Sequence, residues 1–298
     1  MFIVKYRNWF YALSGLLTML ALAAIIVWGF KFGIDFKGGS LLEISYPQSI
    51  AIDEVKQKVA SVSPDASVRP TDNNSVIIRT HFLSEDERKA LLASLSDNGK
   101  IQIIEKRFDS IGPTLSTELV RKAFLSIGLV ILAIVLFITF AFRKVSEPVS
   151  SWKYGVITIV ALLHDVIIPT GIFAALGHFL GYEIDTLFVT ALLVILGFSV
   201  HDTIVVFDRV RENLRRSRES RVETPFQEIV GKSIRQTFNR SINTSLTTLL
   251  ALAALYFLGS DATRHFSLAL LIGITAGTFS SIFLASPLLV TVERWQKK

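Results

Sequence analysis

His201 and Asp202 stand inside an apolar segment, GFSVHDTIVVFDR, which runs from Gly197 to Arg209. A carboxylate is costly in hydrocarbon, so an acid placed there is read first as a functional group with a partner to be named. The chemistry open to it is proton transfer. Burial raises an Asp pKa and a nearby cation lowers it. If the distance to that cation changes between two conformations, the acid takes a proton in one and releases it in the other.

The cation on offer is Arg240, which begins RSINTSLTT (Arg240–Thr248) at the entrance to the next apolar segment. Helices flanking residues 208–239 would be antiparallel and joined on one side, so Arg240 enters near the depth of Asp202. Its long side chain can reach further in or out. Ser241, Asn243, Thr244, Ser245, Thr247 and Thr248 follow, with Ser199 and Thr203 on the preceding segment. So many hydroxyls and amides do not suit a lipid-facing surface; they suit helix–helix hydrogen bonds or a wet pathway. Two readings stay open for Asp202 and Arg240: a static staple, or a titrating pair.

Asp208 follows Asp202 by six residues, about 9 Å along a helix. That spacing puts Asp202 inside the bilayer and leaves Asp208 and Arg209 near water, as interface anchors with local pairing such as Asp208–Arg211. A second buried pair, His164-Asp165, lies mid-segment in LLHDVIIP, where Pro169 can open the helix ladder. It is either structural or on the same pathway. Gly273 and Gly277 form a GxxxG that close helix packing explains, and Thr278, Ser280 and Ser281 continue a small polar face.

The elements that must hold these residues are membrane helices. The chain is 51% hydrophobic over 298 residues, with a mean hydropathy of +0.50. Six apolar runs approach or exceed the roughly 20 residues that cross a bilayer: Trp9–Phe30, Phe124–Phe142, Tyr154–Phe173, Ile184–Phe207, Ile242–Leu258 and Phe266–Val292. The first follows Lys5 and Arg7 and is too long for a signal h-region, so it reads as an uncleaved anchor. With the N-terminus inside, 17 of the 31 Lys and Arg fall on the cytoplasmic side and Arg264 alone in the short outer loops. Both termini are then cytoplasmic, with a cytoplasmic loop at 208–240. Thr224-Pro225-Phe226-Gln227 reads as a capping box with Pro at the first helical position. Phe226, Ile229, Val230, Ile234 and Phe238 then predict an amphipathic helix on the inner face.

Residues 31–122 carry 13 basic and 13 acidic residues, so they can cross as a neutral outer domain. Strands are expected at Ser40–Tyr46, Ser67–Thr71, Ser75–His81 and Ile101–Phe108, with helices at Ile52–Val62 and from Ser84 to about Leu95. Ser84 and Glu87 form a capping box. The order β-α-β-β-α-β is a split, ferredoxin-like α+β arrangement. Residues 1–30 are then the N-terminus and first span, and 123–298 the five-span bundle. At the membrane border lie Gly33, Asp35, Gly38 and Gly39 on one side and Gly112 and Pro113 on the other. These stretches are either linkers or hinges that pass membrane motion to the domain.

No nucleophile–base group stands out, so no enzyme activity is expected. The absence of cysteine and the five scattered histidines leave no metal site in view, and no cofactor is expected beyond protons as coupling ion. The basic residues follow topology rather than a groove, so no nucleic-acid partner is expected.

GIDFKGG (33–39), IGPTLSTEL (111–119), ALLHDVIIP (161–169), GFSVHDTIVVFDRVREN (197–213), RSINTSLTT (240–248) and GTFSSIFLASP (277–287) occur in an order that resembles the SecF family along the whole chain. The resemblance implies an RND-type half with six transmembrane helices, in the bacterial cytoplasmic membrane. It implies an auxiliary subunit of the protein-export translocon that uses the proton-motive force to promote preprotein translocation and release. The partners implied are SecD, the SecYEG translocon, YajC- or YidC-type subunits, unfolded preprotein and membrane lipid. It also implies that Asp202 is the relay acid and Arg240 its basic counterpart, with His201, Thr203, His164, Asp165 and Thr244 as supporting candidates. The position before the relay acid is often Asn in that family. His201 there is either a second proton carrier or a hydrogen-bond donor in place of the amide. The rivals are an RND-like exporter subunit for small molecules or lipids, which would need a substrate cavity, and a passive scaffold.

Overall fold

The computed structural model describes residues 2–48, 51–71, 74–142, 149–220 and 224–296. The chain divides into two compact units, residues 1–31 with 125–298, and residues 32–124.

The walk starts with a short helix α1 (Phe2–Lys5) and the first apolar helix α2 (Arg7–Trp28). The second unit follows: α3 (Ile34–Lys37), β1 (Gly39–Ser45), α4 (Ile52–Ala60), β2 (Ser67–Thr71), β3 (Ser75–Thr80), α5 (Glu85–Leu95) and β4 (Ile104–Ile111). The strands form one antiparallel sheet in the order β2-β3-β1-β4. Period-2 alternation sends Leu42 and Ile44 of β1, Tyr46 just after it, and Val76 and Ile78 of β3 to one face. There they meet Val55 and Val59 of α4 and Leu91 and Leu95 of α5. The capping box at Ser84 is formed: its hydroxyl accepts from the Glu87 backbone N–H, and the Glu87 carboxylate accepts from the Ser84 backbone at 2.8 Å. These bonds hold the exposed Glu87 carboxyl below its ordinary range.

One strand differs from expectation. The fourth covers Ile104–Ile111 rather than Ile101–Phe108. Ile101 and Ile103 pack on the core instead of joining the ladder. The pairing runs on to Gly39 opposite Ile111, where the Ser40 and Ser110 hydroxyls lie 2.7 Å apart.

The remaining apolar helices are α6 (Pro113–Ala141), α7 (Ser151–Phe179), α8 (Thr186–Glu219), α9 (Phe226–Leu258) and α10 (Asp261–Ser280). A π-helical turn (Ser281–Ala285) joins α10 to α11 (Ser286–Gln296). Six helices are long and apolar enough to span a membrane. α7, α8 and the α10–α11 helix form the interior, while α2, α6 and α9 turn large apolar side chains outward, among them Leu20, Phe137 and Leu250.

Three differences concern the membrane unit. Within the expected segment 208–240, α8 runs on to Glu219 and α9 begins at Phe226, so both helices continue past their apolar stretches and pack as a helical hairpin. The stripe Phe226, Ile229, Val230 and Ile234 does not lie on a membrane face. It is buried against Val210 and Leu214 of α8, Val4, and Leu289 and Val290 of α11. The expected capping box at Thr224 is absent. α9 starts at Phe226, its N-cap is Pro225 with no side-chain cap bond, and Gln227 accepts a hydrogen bond from Arg294 instead.

The π turn breaks what hydropathy reads as one uniform span. Pro287 just beyond it has no N–H to give and its ring would crowd the carbonyl four residues back. A wider turn relieves that crowding, and the Ser286 hydroxyl takes up the Ser281 carbonyl at 2.7 Å.

Candidate functional site

α8 and α10 approach closely at Gly273 and Gly277. A Cβ on Gly273 would overlap the Ile195 side chain, and one on Gly277 would stand 3.1 Å from Ser199 Cβ. This contact brings the Ser280 hydroxyl beside α7, where Asp165 is fully buried. Asp165 Oδ2 accepts from Ser280 Oγ at 2.7 Å and from Ser199 Oγ. Its other oxygen, Oδ1, lies 2.8 Å from His164 Nδ1. His164 is itself buried, stacks over Phe279 at 6.3 Å, and has an Nε2 with no hydrogen-bond partner. Three helices thus converge on one carboxyl. Pro169, four residues on, removes the N–H that would otherwise take the Asp165 carbonyl, yet α7 runs through it as one helix.

Asp202 lies three residues after Ser199, so it falls on a similar face of α8. It is 2% exposed, and its Oδ2 has no hydrogen-bond partner. His201 and Arg240 act on it through their charge, and the Ser241 and Ser245 hydroxyls act on it as hydrogen-bond donors. Ser241 and Ser245 are buried one turn apart on α9. The Ser245 hydroxyl donates to the Ser241 carbonyl at 2.9 Å and lies 2.6 Å from Thr278 Oγ1 of α10. Ser241 Oγ and the buried Thr203 Oγ1 have no partner. Ser241 and Ser245 of α9, the latter backed by Thr278 of α10, therefore stand beside Asp202, and hydrogen-bonding capacity remains unused around it.

The two acids differ chemically. A carboxylate can take about four hydrogen bonds, and a burial that is not compensated costs free energy. Asp165 has both oxygens engaged. Asp202 Oδ2 makes no well-formed hydrogen bond, and only the Ser241 and Ser245 hydroxyls act on the carboxyl as donors, so its charged form is less fully compensated than that of Asp165. A proton on Asp202 would remove that deficit.

Among the described residues no ion pair joins Asp202 to Arg240, whose side chain is exposed. His201 is exposed as well, on a different face of α8 from Asp202. Thr244 is half-buried, and its carbonyl accepts from Thr247 and Thr248. Asp208 pairs with Arg211 at 2.7 Å, and Arg209 binds Gln236 at 2.8 Å and Glu212. Asn213 adds bonds to Ser233 at 2.8 Å and Gln236 at 2.9 Å, which lock the α8–α9 hairpin.

The border residues gather in the second unit. Gly33 caps the start of α3, with Asp35 in its first turn. Gly38 and Gly39 have φ of 75° and 126°. A Cβ on Gly39 would stand 2.5 Å from the Thr80 carbonyl oxygen, and one on Gly38 would stand 3.4 Å from the Ile111 carbonyl oxygen. Ser116 binds the Gly112 and Pro113 carbonyls at 3.1 and 2.9 Å. The two stretches are thus packed together through backbone contacts.

The sequence placed Ser199, Ser241 and Ser245 in a polar set suited to helix–helix hydrogen bonds or a wet pathway, and Ser280 on a small polar face, without assigning any of them to an acid. Gly277, three residues before Ser280, was the available signal, because a close helix crossing there carries Ser280 inward.

Comparison with known proteins gives the context. The family "Protein export membrane protein SecD/SecF, C-terminal" matches residues 91–295, and the "SecD/SecF GG Motif" matches residues 23–49. A "Protein translocase subunit SecF" from Thermobaculum terrenum is 42% identical over 99% of this chain and 94% of its own length. One from Anaerolinea thermophila is 37% identical over 96% of this chain and 92% of its own. The crystal structure of SecDF, described as a translocon-associated membrane protein, from Thermus thermophilus superposes with a TM-score of 0.83 at 31% identity. The match covers 99% of this chain and 38% of that one. A multi-pass helical chain of this length, with this domain between its first two spans, belongs to the SecF family of protein translocase subunits.

Proposed function

We propose that this chain works with a SecD-type partner as one half of a proton-driven membrane machine that promotes translocation and release of preprotein. The observation that carries the reading is the contrast between its two buried acids. Asp165 is bonded through both oxygens, whereas Asp202 is shielded from water, its Oδ2 makes no well-formed hydrogen bond, and only the Ser241 and Ser245 hydroxyls act on it as donors. Asp202 is the group that takes and gives the proton. Arg240, within electrostatic range but not paired, is the charge whose approach would favour release. Asp165 with His164, Ser199 and Ser280 holds α7, α8 and α10 in register.

The Lys and Arg distribution supports cytoplasmic termini in a bacterial inner membrane and an outer position for residues 32–124. The SecDF match, in which this chain corresponds to 38% of the longer one, supports a SecD-type partner. SecYEG, YajC- or YidC-type subunits and unfolded polypeptide complete the proposed assembly. The chain acts as a coupling subunit rather than an enzyme, with protons as its coupling ion and no cofactor.

The test uses inverted membrane vesicles that carry the chain with its SecD-type partner. Asp202→Asn should abolish the part of preprotein transport that depends on the proton gradient while leaving the complex assembled. Normal gradient-dependent transport by an assembled Asp202→Asn complex refutes the relay.

A further inference from the structure

Where α8 and α9 run on beyond their apolar stretches, two cavities adjoin. One is a groove of about 680 Å³ lined by Asn213, Arg216, Ser220, Glu228, Lys232 and Arg235. The other, of about 330 Å³, is lined mainly by Phe2, Ile3, Val4, Ile234 and Phe238. They share Gly231 and Arg235. One wall system therefore offers a polar, basic compartment and an apolar one side by side.

The basic compartment has charge to spare. Arg216 is held by Glu212 at 2.6 Å. Among the described residues Lys232 and Arg235 have no carboxylate in ion-pair contact, and Glu228 is the only acid on the groove wall. The start of α9 adds to this. Thr224 and Glu228 line the groove, so the start of a 33-residue helix, with no side-chain cap at Pro225, forms part of its wall. Such an end favours an anion.

The order along α9 says what kind of anion. Phe238 and Asn239, nearest the membrane stretch, line the apolar cavity, while Lys232 and Glu228, further out, line the basic groove. From hydrocarbon outward the chain thus presents an apolar slot and then a cationic, hydroxyl-bearing groove. A phospholipid has the same order, acyl chain and then phosphate. A soluble anion would have no use for the slot.

We propose that the paired cavities bind one anionic phospholipid, with its phosphate on Lys232 and Arg235 and an acyl chain against Phe2, Ile3 and Phe238. The bound lipid ties α1 to the α8–α9 hairpin. Placing it in the inner leaflet rests on the orientation proposed above; the binding itself does not.

The purified full chain in detergent is titrated with phosphatidylglycerol or phosphatidylcholine, with bound lipid read by native mass spectrometry and thermal unfolding followed in parallel. Phosphatidylglycerol should bind in preference and raise the unfolding temperature. Each cation near an anionic lipid contributes about a five-fold preference, so K232Q/R235Q should weaken phosphatidylglycerol binding by about thirty-fold. K232R/R235K should keep it. Both side chains are exposed, so the lipid-free melting of both variants should match the unsubstituted chain and show that folding is intact. Equal binding of the two lipids, or undiminished phosphatidylglycerol binding by a folded K232Q/R235Q, overturns the proposal. So does inorganic phosphate alone reproducing the shift, because the occupant is then a soluble anion.

Discussion

Gly273→Ala should destabilise the membrane unit, and Ile195→Ala should recover part of the loss. An added Cβ at 273 overlaps the Ile195 side chain, including its Cγ1 and Cδ1, and meets no backbone of α8 first. Ile195 is fully buried, so it cannot swing into open space. Overpacking of this kind costs about 1–3 kcal/mol. Ile195→Ala alone empties a packed site and costs about 2–5 kcal/mol. In the double variant the new methyl enters the space that the isoleucine leaves. The double should therefore cost less than the sum of the singles by about 1–3 kcal/mol, the usual size of coupling between touching residues. Reversible unfolding of the four proteins in detergent or bicelles gives the cycle. Gly171→Ala serves as the contrast: its added Cβ overlaps Ala21 Cα and the Ala21 carbonyl oxygen on α2, and no side-chain substitution at 21 should rescue it. Additivity within about 0.5 kcal/mol for 195 and 273 would refute the packing argument, and with it the reason why Ser280 reaches Asp165.

Ser84→Ala in the outer domain should cost about 1 kcal/mol by removing the cap of α5, measured by hydrogen exchange of residues 85–95. Glu87 in the same box has a lowered pKa, so its contribution is present above its unfolded value of about 4.3 and fades as pH falls through the folded one. The gap between Ser84→Ala and the unsubstituted chain should accordingly shrink in acid, and a gap that widens would contradict the box. Gly39→Ala should loosen the outer domain by more than the roughly 1–3 kcal/mol of backbone strain alone, because its Cβ also meets the Thr80 carbonyl; limited proteolysis of residues 32–124 reads this. Ser280→Ala should cost about 1–3 kcal/mol, because it removes a donor from the buried Asp165 carboxyl, while leaving the pH dependence of transport in place. A shifted pH profile in Ser280→Ala would move Asp165 from a structural to a proton-handling role.

Much of this architecture was legible because it rests on hydrophobic period and length. Six apolar runs and the β-α-β-β-α-β order follow from residue type along the chain, and the Ser84 box from two residues at fixed spacing. What was not legible depends on azimuth and on tertiary contact. Asp202 and Arg240 have opposite charges and similar depth, which makes them natural partners on paper. A helix turns about 100° per residue, and on α9 it is Ser241 and Ser245 that are buried toward Asp202, with Arg240 exposed. Asp165 shows the same limit. Its donors come from residues 164, 199 and 280, and only the close crossing at Gly277 unites them. The basic-apolar stripe at the start of α9 fits an amphipathic surface helix equally well by period. Its burial is decided by α8 continuing far enough to cover it.

The central claim is that Asp202, and not Asp165, is the acid that changes protonation. pH-difference infrared spectroscopy on the chain reconstituted with its SecD-type partner reads this through the carbonyl stretch of protonated carboxyl groups. The account predicts a titrating band that disappears in Asp202→Asn and survives in Asp165→Asn. A band unchanged in Asp202→Asn, or lost only in Asp165→Asn, would contradict it.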